Sequence, residues 1–226
     1  MGLALAQKLS RAGDHVTVVG RDPEKLQRVR ADCAGPDRPA TIVTDITIEQ
    51  EVEALFARCS QLDHIVCTAA EFTGAYARLP ALDLAAARRA IESKIVGPIH
   101  IAKHGAPTLA TGGSLTFVSG IAAYRPMPRG TVVATINAAL EGLVRALAVE
   151  LAPIRVNAVS PGWVDTPIWQ VVAGEGKAEV LDGMAARLPV GRVGRPEDIA
   201  DALAFVIGNG FTTGTVLHVE GGHRLV

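Results

Sequence analysis

The feature that most constrains this chain is a strand, a long apolar helix and a second strand in direct succession between Ser114 and Gly162. Ser114-Leu-Thr-Phe-Val-Ser-Gly120 reads as a short buried strand, followed by a Gly/Pro-punctuated loop to Gly130. From Thr131 to Leu151, apolar residues fall at Val132, Ile136, Leu140, Leu143 and Leu147, the three- and four-residue steps of one helix face. Ile154 to Val159 is again β-branched and ends at Ser160-Pro161-Gly162. Strand, helix and strand in this order form a βαβ unit, which joins parallel neighbours. In an open sheet of that kind ligands sit beyond the carboxyl ends of the strands. Ser119 and Ser160 are therefore expected to border one crevice.

The same alternation runs through the rest of the chain. Met1 to Gly13 reads as a helix closed by Gly13, and His15 to Val19 as a strand. Asp22 as N-cap with Pro23 behind it opens the next helix, through Leu26 and Val29. Thr41 to Thr44 is a short strand ending in Asp45. Thr47-x-x-Gln50 has the spacing of a capping box, before a helix with Val52, Leu55, Phe56 and Cys59 on one face. His64 to Thr68 is a strand, and a long helix from about Asp83 to His104 carries Ile91, Ile95 and Ile99 on its apolar face. Val180, Met184 and Leu188 suggest a helix inside the weakly patterned stretch from Gln170 to Arg187. Pro196 opens another helix, and Phe211 to Val219 gives the last strand. Alternation without hairpin signals predicts a Rossmann-like α/β fold, a doubly wound parallel sheet in a single domain spanning residues 1–226.

A chain of 226 residues that is 49% hydrophobic is large enough for one well-filled core. A net charge of -1 gives no electrostatic reason to bind nucleic acid or an anionic membrane. Cys33, Cys59 and Cys67 form no C-x-x-C pair, and their odd number argues against a disulfide framework; a cytoplasmic setting is the simplest. Lys8, Arg11 and Asp14 interrupt the apolar residues too early for a signal peptide, and no uninterrupted apolar run of membrane-spanning length is evident.

Four segments carry a family resemblance: Gly112-Gly-Ser-Leu-Thr-Phe-Val-Ser, Ala138-Ala-Leu-Glu-Gly-Leu-Val-Arg-Ala-Leu, Arg155-Val-Asn-Ala-Val-Ser-Pro-Gly-Trp-Val-Asp-Thr-Pro and Gly191-Arg-Val-Gly-Arg-Pro-Glu-Asp-Ile-Ala. Together with Val219-Glu-Gly-Gly222 they resemble the short-chain dehydrogenase/reductase family over nearly the whole chain. The resemblance implies a nicotinamide dinucleotide, a small-molecule carbonyl or alcohol substrate, a substrate lid around residues 165–190, and a homodimer or homotetramer. It also implies an opening strand with a Gly-rich turn, of which only the last glycine, Gly2, is found. The chain is therefore expected to lack the family's first strand, as a shortened version of a longer one.

Residue by residue, the family's coenzyme positions fall on Gly2, Arg21, Asp45, Ile46, Thr68, Ala69, Ala70, Pro161, Gly162, Val164 and Thr166. Arg21 stands where an acid would hold the ribose hydroxyls of NAD, so NADP(H) is expected over NAD(H); a solvated loop arginine is the plainer alternative. Asp45-Ile46 matches the adenine-side pair, though Asp45 serves equally as a helix cap. Cys67-Thr-Ala-Ala70 stands where the family has Asn-Asn-Ala-Gly, keeping small residues and losing the amides. Pro161-Gly162, Val164 and Thr166 match the segment that holds the nicotinamide carboxamide.

The family's catalytic set fits less well. The tyrosine that delivers the proton falls at Val133 and the lysine that lowers its pKa at Asn137, and neither residue can do the work. The serine position falls at Gly120, with Ser119 one residue early, and Lys94 takes the place of the relay asparagine. Ser119, Lys94, Tyr124 and Asn137 are the substitute candidates, with Lys94 depressing the Tyr124 phenol or acting as the acid itself. Each also has a structural reading: a turn hydroxyl, a helix cation, a loop or subunit contact, a buried amide. His100 and His104 lie at helical spacing without a third ligand, so no metal site is expected. The sequence thus points to an NADP(H)-dependent short-chain-family oxidoreductase with a non-standard catalytic set. A catalytically silent or non-redox binding or assembly subunit is the alternative.

Overall fold

A computed structural model describes residues 1–33 and 38–226. The chain opens on helix α1 (Gly2–Ala12), which stops where Gly13 turns left-handed at φ 92 and its N–H reaches back to the last carbonyls. Strand β1 (Thr17–Gly20) and helix α2 (Pro23–Asp32) follow, with the Asp22 carboxylate accepting from the Glu24 and Lys25 N–H groups as the sequence predicts. Next come β2 (Ala40–Val43), α3 (Glu49–Phe56) and β3 (Leu62–Cys67). The second half holds α4 (Leu84–Ile91), a π-helical turn (Glu92–Val96), α5 (Gly97–Gly105), β4 (Leu109–Val118), α6 (Thr131–Glu150) and β5 (Arg155–Pro161). It closes with α7 (Ile168–Ala173), α8 (Lys177–Ala185), α9 (Pro196–Gly208) and β6 (Val216–Val219).

All strand pairs among the described residues are parallel. β1 pairs with β2, and β3, β4, β5 and β6 form a four-stranded ladder in that order. Every residue of β5 is buried, so both of its faces are covered, as a parallel sheet requires. One cover is a core of α3, α5 and α6 residues against Leu115, Phe117, Val156 and Ala158. The opposite cover sets α1 and α9 against Val118 and Val159. By length and hydropathy α6 could cross a membrane on its own, which the absence of an uninterrupted apolar run had argued against; here Val132, Ile136, Leu140 and Val144 are buried in the domain core.

Three expectations need correction. The fold was expected to lack its first strand; the N-terminal strand is present as β1, pairing in parallel from Thr17 with Ala40 to Gly20 with Val43. Its β-branched Thr17, Val18 and Val19 suit a pleated ladder, and the break at Gly13 frees them from α1. The capping box at Thr47 does not form: Thr47 gives both its N–H and its hydroxyl to Asp45 Oδ1, at 2.9 and 2.8 Å, and α3 starts later, at Glu49. The long helix also buries another face than the one read from its isoleucines. Ile91 and Ile99 are each 42% exposed, while Ala86, Ala87, Ala90, Ser93, Lys94, Gly97, Ile101 and Ala102 face inward. Small residues win because the helix backbone lies close to its neighbours: a Cβ on Gly97 would come within 2.8 Å of Ile46.

Gly162 shows the same closeness at the carboxyl end of β5, where a Cβ would sit 2.6 Å from the Glu220 Cα. Because the obstacle is backbone, Gly162→Ala is expected to cost about 1–3 kcal/mol, read as a lowered urea midpoint at unchanged slope.

Candidate functional site

The carboxyl ends of β1, β2, β3, β4 and β5 carry the sequence's candidates: Arg21 follows β1, Asp45 and Ile46 follow β2, Thr68, Ala69 and Ala70 follow β3, Ser119 follows β4, and Gly162 follows β5. At the start of α1, Gly2 lies against Thr68, so closely that a Cβ there would meet the threonine hydroxyl at 2.5 Å. The positive end of α1 is thereby brought to the tip of β3. Ala69 and Ala70 are exposed and leave the backbone open to a ligand. Val164 is buried and bridged to Gly194, and its carbonyl accepts the Trp169 indole N–H at 2.8 Å. Trp163 stacks on Trp169 with ring centroids 4.1 Å apart. Beyond them α7 and α8 frame a cleft of about 500 Å³, across which Lys177 pairs with Asp165 at 2.6 Å.

Asp45 Oδ1 accepts the Thr47 N–H and hydroxyl in the turn ahead of α3, whose N-cap is Ile48, so it does not cap that helix; among the described residues no hydrogen bond reaches its Oδ2. Ile46 packs on Gly97, and its carbonyl meets His100 Nδ1 at 3.0 Å. Arg21 does not stand free: it forms an ion pair with Glu71, in the loop after β3. Glu71 is itself fixed, accepting the Thr73 N–H at 2.8 Å and donating its own N–H to Ser93 Oγ at 2.9 Å. Hydrogen bonds from Thr73, followed by the bond and charge of the Arg21 guanidinium, hold its carboxyl down to about 2. A dinucleotide fits this rim in its donor set: a positive helix end, a guanidinium, a half-free carboxylate and small residues at the strand tips.

The catalytic candidates fall into two groups. Ser119 donates to Glu141 Oε1 at 2.8 Å and lies 3.3 Å from the Asn137 carbonyl, while Tyr124 donates to Glu141 Oε2 at 2.5 Å and sets its ring edge-on to His218. The Glu141 carboxylate is the hub of this cluster, and it raises the Tyr124 phenol instead of lowering it. Glu141 has no role among the family positions named for the sequence, although it lies inside the Ala138-Ala-Leu-Glu-Gly-Leu segment that resembles the family. The available signal was a lone acid on the inward face of an otherwise apolar helix.

Lys94 goes elsewhere. It is buried in the π turn with its ammonium 5.6 Å from the Phe72 ring centroid, and no carboxylate among the described residues pairs with it. Burial lowers its pKa to about 8, with the nearby Cys67 thiol opposing the shift. The proposed meeting of Lys94 and Tyr124 therefore does not occur. The π turn packs against α6, whose Asn137 is buried with Oδ1 unpaired and Nδ2 close to Gly120. His104 meets Glu49, and among the described residues no three His, Cys, Asp or Glu gather to hold a metal.

The relatives of this chain agree with its geometry. A family profile described as "Enoyl-(Acyl carrier protein) reductase" matches residues 1–224. Short-chain dehydrogenase/reductase malC of Malbranchea aurantiaca is 32% identical, over 100% of this chain and 90% of its own length. Cis-4-hydroxycyclohexanecarboxylate dehydrogenase of Sinomonas cyclohexanicum is 35% identical, over 100% and 93%. Among solved structures, the MalC reductase/Diels-Alderase superimposes with TM-score 0.91 at 30% identity, covering 100% of this chain and 92% of that one. A small-chain dehydrogenase in complex with NADPH gives 0.79 at 33% identity, covering 94% and 100%. The chain belongs to the short-chain dehydrogenase/reductase family, and is an oxidoreductase of that family.

The buried ammonium has a thermodynamic signature. Below about pH 8 the folded state holds a desolvated charge; from pH 8 to about 10.5 the folded amine loses its proton before the unfolded one, so stability rises with pH. Lys94→Met is expected to add roughly 3 kcal/mol at pH 7, and the gain should fade across that window when unfolding is measured by denaturant titration.

Proposed function

We propose that the protein is an NADP(H)-dependent carbonyl reductase or alcohol dehydrogenase in which Lys94 takes over proton delivery from the family's tyrosine. The observation that carries this reading is a buried lysine with no carboxylate partner among the described residues, its pKa lowered by burial to about 8. A charge that costs folding energy and has no ion-pair partner among the described residues is a candidate functional group. It sits in a π turn, a feature frequent at functional sites.

The coenzyme supplies a hydride to the carbonyl carbon. The chain's own groups do the rest. The Lys94 ammonium gives the proton that the new alkoxide oxygen needs and is left as an amine that refills from water. The unpaired Asn137 Oδ1 accepts a hydrogen bond from a substrate hydroxyl, and the stacked Trp163 and Trp169 wall the crevice on the lid side. NADP(H) over NAD(H) is supported by Arg21 at the end of β1 and by the NADPH in the structure of a 33% identical relative. Ser119 and Tyr124, bonded to Glu141, hold the loop after β4 in place. The half-exposed Ile91 and Ile99 support pairing of two copies along this helix, in a homodimer or homotetramer.

A second reading has its own observation. Val133, at the position of the family's tyrosine, is buried among Ala75, Ala90 and Ile136 and offers no proton. A crevice so lined suits non-redox use, and MalC carries both "reductase" and "Diels-Alderase" in its description.

Three measurements separate the readings. Binding of NADPH is expected to quench tryptophan emission from Trp163 and Trp169. Against a panel of cyclic and aliphatic ketones, Lys94→Met should lower kcat by about 10²–10⁴ with NADPH affinity unchanged. Reduction by the wild type should fall as pH rises past about 8, when the donor loses its proton. Turnover that survives Lys94→Met, or a profile flat through that pH, would refute the assignment of Lys94.

A further inference from the structure

The rim of the crevice contains an acid that the coenzyme reading does not use. Arg21 follows β1, in the two-stranded ladder, while Glu71 belongs to the loop after β3, in the four-stranded one. No ladder joins these two sheets among the described residues. The Arg21–Glu71 pair therefore spans from the carboxyl end of one sheet to that of the other, across the place where a dinucleotide's adenosine ribose lies in a doubly wound fold. Glu71 is the better anchored partner: its side chain is 21% exposed against 58% for Arg21, and it is locked into a turn by Thr73 and Ser93. Among the described residues Arg21 has no second hydrogen-bond or ion-pair partner, so it can turn its remaining guanidinium N–H groups to a ligand while Glu71 stays in place.

We propose that Glu71 is a coenzyme-specificity residue, a fixed negative charge that opposes the ribose phosphate Arg21 attracts and accepts hydrogen bonds from an unphosphorylated ribose. This rests on the coenzyme reading above. The physical cause is the opposite response of one carboxylate to two ligands: a phosphate brought to Arg21 meets a like charge and a guanidinium already partly neutralised, whereas ribose hydroxyls can donate to it. The chain thus holds both halves of the discrimination, a cation after β1 and an anion after β3, and its preference for the phosphorylated coenzyme is weaker than Arg21 alone would give.

The test uses two ligands that differ only in the ribose phosphate, adenosine 2′,5′-bisphosphate and 5′-AMP, with the full chain in a calorimeter. Glu71→Gln, which keeps an oxygen for the Thr73 N–H, is expected to tighten the bisphosphate on the order of tenfold and to leave 5′-AMP unchanged or weaker. In an Arg21→Ala background the same substitution should give less than half of that gain on a logarithmic scale. Equal tightening of both ligands, no change for the bisphosphate, or a full gain without Arg21 would each overturn the assignment of Glu71. Wild-type protein that binds neither these ligands nor NADPH would overturn the coenzyme reading, and this inference with it.

Discussion

The structure depends on β5 being buried along its whole length. A parallel strand satisfies its backbone only between two neighbours, and its side chains only under helices on both faces. That single requirement places α6 on one side and α9 on the other, and aligns the ends of β4, β5 and β6. It also explains how polar residues survive within the sheet. Asn157, fully buried, gives its amide to the Thr212 carbonyl and takes the Thr215 N–H, fastening β5 to the segment that leads into β6. Arg155 likewise caps the end of α9 by donating to the Val206 and Ile207 carbonyls.

Most of this architecture was legible in the sequence because alternation of strand and helix leaves few topologies open. Gly13, Asp22 and Pro23 marked helix ends through backbone chemistry that acts locally, and local signals can be read locally. The errors arose where packing decides. Thr47 had the spacing of a cap, yet its hydroxyl found Asp45 two residues back. Ile91 and Ile99 had the look of a buried face, yet close approach by Ala90, Gly97 and Ala102 outweighed their larger apolar area. The first strand was thought missing because the family's opening turn was sought ahead of Gly2; β1 lies beyond α1.

The site was legible in part for the same reason. Positions at strand ends follow from topology, so Arg21, Asp45, Ala69 and Gly162 fell on the rim. What could not be read was which side chains meet. Nothing in sequence spacing joins Arg21 to Glu71, fifty residues away, or Ser119 and Tyr124 to Glu141. Nor does spacing show that the Lys94 cation is buried while Ile91 and Ile99 on the same helix stay half exposed.

The π turn around that cation has a consequence for how such a site can change. Each residue of an α-helix advances the side-chain direction by about 100°, and a π turn closes its bonds over one residue more than an α turn does. The inward aim of Lys94 is thus a matter of residue count upstream as much as of residue identity. Loss of one codon between Ala90 and Lys94 could swing the amine out to water with every other amino acid retained. A side-chain direction held in this way can be gained or discarded by a reading-frame-preserving slip, a route closed to arrangements that need several simultaneous replacements.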